Sequence, residues 1–157
     1  MGKFNDKISA EFHPPRKWIL ERALSYTNAD LDVDSLKEIG VQVTKDGKIT
    51  CKKGFVTDLA SVPRICWMLI APWDIARAAI IHDLLYKRIR QYRAKLYKDN
   101  LQYDEISAYK AAKKEADKVF LAAMKDADPS VPKWKIYSAY YSVVLFGRWS
   151  IIPREED

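Results

Sequence analysis

The chain has 157 residues, of which 48% are hydrophobic and five are tryptophan. This length and composition exclude an intrinsically disordered chain and predict one domain, large enough to bury a core without disulfides or structural metals. The formal net charge of +6 makes this a basic protein. An acidic partner such as nucleic acid or an anionic surface would suit it without being required.

The cysteines and the apolar segments bear on compartment and membrane contact. Cys51 and Cys66 lack the spacing of a metal site or of a disulfide framework, which predicts a reducing compartment. Residues 1–12 contain no apolar core of a signal peptide. The apolar run over residues 140–152 is interrupted by a glycine and an arginine and is too short to span a bilayer. We therefore predict a soluble protein without membrane insertion.

Strand signals dominate the first third of the chain. Residues 18–26 place large apolar side chains at alternating positions, which predicts a strand, and residues 27–40 are polar and turn-rich. Asp46 and Gly47 separate two β-branched runs. Because glycine tolerates the positive φ of a tight hairpin turn, this pair predicts a hairpin. Residues 17–57 are accordingly expected to form a small antiparallel sheet.

Helix signals follow. Ser61 is a plausible N-cap of a short helix that has Pro63 in its first turn, where a missing N–H costs nothing, and that ends near Ile70. Asp74 is placed to cap a long helix that runs through Tyr86 and into the basic stretch after it. That second helix is apolar almost all round, so we expect it to be central in the fold.

Two more helices are predicted before the C-terminus. The first begins near Asp104, and residues 126–132, which include two prolines, end it. Its apolar stripe at helical spacing comprises Ile106, Tyr109, Ala112, Ala116, Val119, Phe120, Ala123 and Met124. The last helix carries Trp134, Tyr137, Ser138, Tyr141 and Leu145 on one face. We interpret this face as core, or as a docking face if the protein assembles.

The elements together predict an α+β fold, in which a small N-terminal antiparallel β-sheet is packed by three to four C-terminal α-helices. The predicted single domain covers residues 1–157. Residues 1–16 are interpreted as an N-terminal arm or loop, since its two adjacent prolines disfavour regular structure. The β-rich part spans 17–57, the helical part 58–149 and the tail 150–157.

Four ionisable residues interrupt apolar surroundings. His82 and Asp83 lie in the central helix, Asp117 flanks the apolar stripe of the next helix, and Asp58 lies in the loop after the sheet. A buried carboxylate needs a cation, a metal or several hydrogen-bond donors. These three carboxylates and one imidazole are therefore expected to converge.

One interpretation of this convergence is catalytic. Asp58, His82, Asp83 and Asp117 would act as metal ligands or water-activating groups, and Arg64 would hold an anion, so that these five form the predicted catalytic set. Such an oxygen-rich site suits Mg²⁺ or Mn²⁺, while Zn²⁺ normally takes more nitrogen or sulfur. A bound ion would activate water and neutralise phosphate charge, which predicts a small metal-dependent hydrolase. The arrangement resembles HD-type metal-dependent phosphohydrolases, although those enzymes use further histidines.

The other interpretation is a buried polar network without catalysis. Here Arg64 pairs with Asp83 or with the carboxylate at position 58, and His82 donates to a backbone carbonyl. Asp117 pairs with Lys113, Lys114 or Arg77. Such a network would hold the central helix and the loop in register. The sequence leaves both interpretations open.

A basic segment over residues 86–99 is a candidate nucleic-acid contact. Arg88, Arg90, Arg93 and Lys95 alternate there with tyrosines, so that cations could bind phosphates and rings could stack on bases. The alternative is a solvated helix end, where basic side chains are favoured by the helix dipole and their stems cover apolar surface.

Four blocks of this sequence, at residues 54–64, 78–86, 115–124 and 136–149, resemble a phage and prophage family catalogued as domain of unknown function 1353. The matching signature in this chain is GFxTDxASVPR, HDxLY and EAD. The family pattern carries onto Gly54, Phe55, Thr57, Asp58, Ala60, Ser61, Pro63, Arg64, His82, Asp83, Leu85, Tyr86 and Asp117. The chain departs from the pattern between the second and third blocks, where it is longer and more basic.

The resemblance implies a phage origin and supplies no activity. It leaves the hydrolase beside a non-catalytic alternative: a virion component of tail or neck, or an accessory protein that binds a host protein or nucleic acid. The implied location is the host cytoplasm during infection, with incorporation into the virion as a further expectation. Other virion proteins or a host protein are the partners expected for the second alternative.

Overall fold

The computed structural model describes residues 1–58, 75–98, 103–127 and 130–155. The short helix predicted between Ser61 and Ile70, the predicted cap Asp74 and the predicted anion-binding Arg64 lie outside these described residues.

Among the described residues, six strands form two three-stranded antiparallel sheets. The strands are β1 (Lys3–Phe4), β2 (Ala10–His13), β3 (Lys17–Leu20), β4 (Leu24–Thr27), β5 (Lys48–Cys51) and β6 (Val56–Thr57). One sheet has the order β1-β4-β5 and the other β2-β3-β6. In the first sheet Tyr26 lies opposite Ile49, and in the second Trp18 lies opposite Thr57.

Two details of the predicted sheet are wrong. The single strand expected over residues 18–26 is interrupted at 21–23, where the side chains are exposed, and its halves belong to different sheets. The segment 1–16, interpreted as an arm or loop, contains β1 and β2. The two prolines lie in the turn after β2 and end that strand without preventing it, since all four of its residues pair with β3.

The predicted turn at Gly47 is present, with a positive φ of 76°. Its backbone N–H donates to the Thr44 carbonyl at 3.0 Å, and Val43 forms a bridge to Ile49 across the turn. The strand that pairs with β5 along its length is β4. The hairpin is therefore short, because β5 finds its main partner earlier in the chain.

A helix lies where the sequence indicated only turns. Helix α1 (Val33–Glu38) follows Asp32, whose carboxylate accepts a hydrogen bond from the Ser35 backbone N–H at 3.1 Å. An aspartate that accepts from the third residue after it is a strong N-cap. Leu36 is the buried residue of this single turn. Val33, three residues earlier, is partly buried against the core. With six residues, α1 is too short to show more than this one helical repeat.

Three long helices complete the described chain: α2 (Ala76–Lys98), α3 (Tyr103–Lys125) and α4 (Lys133–Ser150). The α+β class is thereby confirmed. The central position of α2 is also confirmed, because it packs against α3 on one side and against β4 and β5 on the other. The apolar stripe of α3 is buried through Ala112, Ala116 and Phe120. No described helix is long and apolar enough to cross a membrane.

The core interpretation of the last helix is wrong. The face of α4 that contains Trp134, Tyr141 and Leu145 is exposed to solvent. The buried face is the opposite one, which packs Ile136 and Val143 into the core. Since α4 is apolar on both faces, the sequence pattern does not decide which face turns inward.

Candidate functional site

Asp117 lies at the centre of a buried polar cluster, with His82 and Tyr86 on α2 and Lys113 on α3. One carboxylate oxygen of Asp117 accepts from the Tyr86 hydroxyl at 2.7 Å and lies 3.1 Å from Nε2 of His82. The other oxygen accepts from Lys113 Nζ at 2.7 Å. Lys113 also donates to the Val143 carbonyl at 3.4 Å, so the cluster joins α2, α3 and α4.

Helical spacing builds this cluster. His82 and Tyr86 are four residues apart on α2, and Lys113 and Asp117 are four apart on α3, so each pair shares one helix face. The His82 ring lies 4.0 Å from the Tyr86 ring and 4.7 Å from the Phe120 ring, measured between centroids. His82 is fully buried between these rings.

The buried cluster contains an ionised carboxylate and a neutral imidazole. Burial raises the pKa of Asp117, but hydrogen bonds from His82, Lys113 and Tyr86 outweigh that effect and hold the pKa below its ordinary value of 3.8. For His82, burial lowers the pKa below the ordinary 6.5, against the opposite influence of Asp117. Because the ionised carboxylate can only accept, the neutral ring carries its proton on Nε2 and donates a hydrogen bond from there to Asp117. Its Nδ1 has no hydrogen-bond partner among the described residues.

These pKa directions predict a stability that falls in acid. Because the folded state resists protonation of His82, the unfolded chain binds a proton first as the pH drops below about 6.5, and the free energy of unfolding decreases there. Below about 3.8 the lowered pKa of Asp117 adds a second loss, which is complete once the pH falls through the folded pKa. Urea unfolding between about pH 7 and pH 3 measures both.

A matched variant separates the two losses. His82→Phe keeps a ring between Tyr86 and Phe120 but has no titratable nitrogen, so the decrease near pH 6.5 should disappear. The decrease near 3.8 should become smaller, because the hydrogen bond from His82 no longer helps to lower the pKa of Asp117. A variant that keeps the full decrease near 6.5 would assign it to another group.

The second cluster lines a pocket of about 280 Å³ at the edge of the β2-β3-β6 sheet. Asp83, on α2, and Asp58, directly after β6, both line it. Asp83 is only 8% exposed and accepts a hydrogen bond from the Thr57 hydroxyl, whereas Asp58 is exposed. Four cationic side chains complete the charged lining: Lys17, Lys87, Arg90 and Arg154.

The structure divides the predicted catalytic set in two. His82 and Asp117 belong to the buried cluster, and Asp58 and Asp83 belong to the pocket. The physical reason is that consecutive helical residues point about 100° apart, so His82 and Asp83 cannot face one site. The described part of the chain contains no group of three or more His, Cys, Asp or Glu side chains placed to hold a metal ion.

A comparison with known protein families identifies the family of this chain. A family model described as "Protein of unknown function (DUF1353)" matches residues 35–143, which is more than half of the chain. The chain belongs to this family. Both clusters of this DUF1353 protein lie mainly within the matched segment, which includes Asp58, Asp83 and Asp117. No curated protein and no solved structure matches the chain.

Some partners in this DUF1353 protein agree with the network interpretation and others differ. The pairing of Asp117 with Lys113 agrees with it. The donation from His82 to a backbone carbonyl is wrong, because Nε2 faces Asp117. Charge patterns did not indicate Tyr86 and Thr57 as partners, since neither is charged. The available signal was the spacing of Tyr86, one helical turn after His82.

Arginines of the basic segment, residues 86–99, form hydrogen bonds with backbone carbonyls of the same chain. Arg90 donates to the Ser150 carbonyl at 3.3 Å and Arg93 to the Ile151 carbonyl at 2.6 Å, so both satisfy carbonyls at the end of α4. Arg88 donates to Gln91 at 3.1 Å, and Lys95 is exposed. These contacts favour the alternative in which the segment supports the fold. Nucleic-acid binding stays a prediction.

Proposed function

We propose that the pocket is the active site of a small metal-dependent hydrolase that acts on a phosphate-containing substrate. The observation that supports this proposal is the composition of the lining: two carboxylates and four cationic side chains surround a pocket of about 280 Å³. The excess of cations attracts an anion, and carboxylates among them offer a divalent ion the oxygen donors it prefers.

The cationic lining has the role of binding substrate. Lys17 and Lys87 act as mobile charges, while Arg90, whose guanidinium is anchored on the Ser150 carbonyl, presents a fixed one. Arg154 adds a fourth charge from beyond the end of α4. Arg64 stays a proposed anion-binding residue on sequence grounds alone.

Asp58 and Asp83 have the role of metal ligands. Mg²⁺ is commonly held by one or two carboxylates together with substrate phosphate oxygens, so two aspartates fit Mg²⁺ or the similar Mn²⁺. Zn²⁺ fits less well, because the lining formed by the described residues contains no imidazole or thiol, and His82, which precedes Asp83 in the chain, donates to Asp117 and is enclosed. A bound ion supplies an activated water and polarises the phosphoryl group. The Thr57 hydroxyl fixes one oxygen of Asp83 and so orients that ligand.

The buried cluster has a supporting role in this proposal. It holds α2 against α3 through His82, which directly precedes Asp83. This contact fixes the rotation of α2 and therefore the direction in which Asp83 points. Within the proposal His82 and Asp117 are therefore positioning residues, and this replaces the ligand roles assigned to them from sequence.

The hydrolase proposal predicts a loss of activity in two conservative variants. Asp58→Asn and Asp83→Asn should each lower kcat/KM by about 100-fold or more, since each removes a charged group at the reacting centre. In Asp83→Asn the amide oxygen can still accept from Thr57, so the fold should persist. The assay is hydrolysis of p-nitrophenyl phosphate and bis(p-nitrophenyl) phosphate with Mn²⁺.

Glu38→Gln is the matched control, because it makes the same change of charge at an exposed position of α1. It should keep full activity. Absence of hydrolysis of both esters and of nucleoside phosphates by the unsubstituted protein would contradict the proposal. So would full activity in both pocket variants.

We also propose a second candidate, a non-catalytic phage protein: a tail or neck component of the virion, or an accessory protein that binds a host protein. The phage origin comes from the family resemblance, and the observation that favours a structural component is the exposed apolar face of α4. The protein would then be found in the host cytoplasm and in particles. Co-sedimentation with purified particles tests this role, and absence from them would count against a virion component.

A further inference from the structure

Helix α4 is apolar on both sides, yet only one side is covered. Its inner face packs into the core through Ile136, Ala139 and Val143. Its outer side, together with the turn that follows Ser150, leaves large side chains between 38% and 61% exposed, namely Trp134, Tyr137, Tyr141, Val144, Leu145, Phe146, Trp149 and Ile152. A helix that is hydrophobic all round belongs in an interior. The outer face of α4 is thus suited to an interface.

We propose that this face is covered by α4 of a second copy, in an antiparallel two-fold dimer. Six of the exposed residues form the outer stripe: Trp134, Tyr137, Tyr141, Leu145, Trp149 and Ile152. Their successive spacings are 3, 4, 4, 4 and 3 residues, as read from their numbers. Because this order is the same in both directions, an antiparallel copy brings every member of the stripe opposite another member.

The symmetry defines the pairs across the interface. Trp134 lies opposite Ile152 of the partner, Tyr137 opposite Trp149, and Tyr141 opposite Leu145. An isologous contact needs such self-complementarity, since the same patch serves both subunits. Spacings of three and four residues are also those at which helix ridges interdigitate.

The exposed area is close to what a small stable interface needs. Four of the six stripe residues are aromatic, and aromatic side chains bury about 150–250 Å² each. Since they are about half exposed, they offer roughly 400 Å² per copy, and Leu145 and Ile152 add to it. The smallest interfaces of standard size take roughly 600 Å² from each partner. Tyrosine and tryptophan are also the residues that most often dominate binding energy.

Charge permits a second copy at the centre of this face. Residues 136–147 contain no charged side chain, so the centre of the interface is free of like-charge repulsion. Both ends of α4 carry cations, with Lys133 and Lys135 at one end and Arg148 and Arg154 at the other, where Glu155 follows Arg154. The antiparallel orientation is therefore proposed from the spacing of the stripe and not from the charges at its ends.

Molar mass in solution tests the dimer. The unsubstituted chain should have twice the monomer mass of 18.2 kDa by light scattering after gel filtration. Tyr141→Asp should be a monomer, because it places a carboxylate at the centre of the apolar stripe. Tyr97→Asp is the matched control, since Tyr97 is 60% exposed on α2 and Tyr141 is 57% exposed. It should remain a dimer.

Two results would overturn the proposal. One is a monomeric unsubstituted protein at about 100 µM, where a contact of micromolar Kd is largely occupied. The other is a dimeric Tyr141→Asp variant whose circular dichroism shows a native fold. The pocket variants Asp58→Asn and Asp83→Asn should stay dimeric, so failure of the dimer and failure of the hydrolase proposal are distinguishable.

Cysteine cross-linking tests the orientation. The double variant Trp134→Cys, Ile152→Cys should form an intermolecular disulfide on oxidation, above the background of the unsubstituted chain. One position lies at the start of α4 and the other in the turn after its end, roughly 27 Å away at 1.5 Å per residue, so they cannot pair inside one subunit. Each single variant should stay uncross-linked. Cross-linking of Trp134→Cys alone would indicate parallel helices and would contradict the proposed pairing.

Discussion

Replacing Asp117 with alanine is expected to lower the free energy of unfolding by about 3 kcal/mol or more. The substitution leaves the Lys113 ammonium, the Tyr86 hydroxyl and Nε2 of His82 without their shared acceptor. Removing one member of a buried ion pair destabilises because the remaining charge stays desolvated. Denaturant unfolding near pH 7 measures the change.

Two variants sharpen this stability test. Lys114→Ala, at an exposed position of the same helix, should change the free energy by less than about 0.5 kcal/mol. Asp117→Asn should lie between the two, since its amide oxygen can still accept from Tyr86 but no longer pairs with the charge of Lys113. A loss of under about 1 kcal/mol in Asp117→Ala would show that the cluster is not a stabilising network.

The second large effect is expected at Gly147 on α4. Gly147 is buried against Tyr86, and a Cβ at this position would overlap the Tyr86 hydroxyl. Gly147→Val should therefore push Tyr86 away from Asp117 or separate α4 from α2. We expect a loss of about 3 kcal/mol in the free energy of unfolding, from overpacking together with a broken buried hydrogen bond.

A double-mutant cycle with Tyr86→Phe tests the cause at Gly147. If the hydroxyl is the obstacle, Gly147→Val should cost less in the Tyr86→Phe background than alone, and the two changes should not be additive. Strict additivity would assign the loss to another contact of α4.

Most of the fold that could be predicted from the sequence was predicted from the helical periodicity of apolar residues. The stripe from Ala112 to Met124 repeats at three and four residues over several turns, so its helix and its buried face followed directly. The six-residue helix α1 offered only Val33 and Leu36 as apolar signals, which is one helical repeat. The division of the strands into two sheets depends on pairing between β2 and β3 and between β1 and β4, which alternation within one segment does not specify.

The candidate site was predictable as a set of residues but not as a geometry. His82, Asp83 and Asp117 stood out because each is ionisable in apolar surroundings. To assign each residue to one of the two clusters, the direction of its side chain must also be known, since His82 and Asp83 point to different sides of α2. The cationic lining from Lys17 and Arg154 could not be read from sequence, because these residues come from opposite ends of the chain and meet only in the folded protein.

Calorimetric titration with Mn²⁺ tests most directly the claim that the pocket, and not the buried cluster, is the functional site. We expect one bound ion per chain in the unsubstituted protein and in folded Asp117→Asn, and loss of that binding in Asp58→Asn and Asp83→Asn. Binding that persists in both pocket variants, or that disappears only in Asp117→Asn, would contradict it.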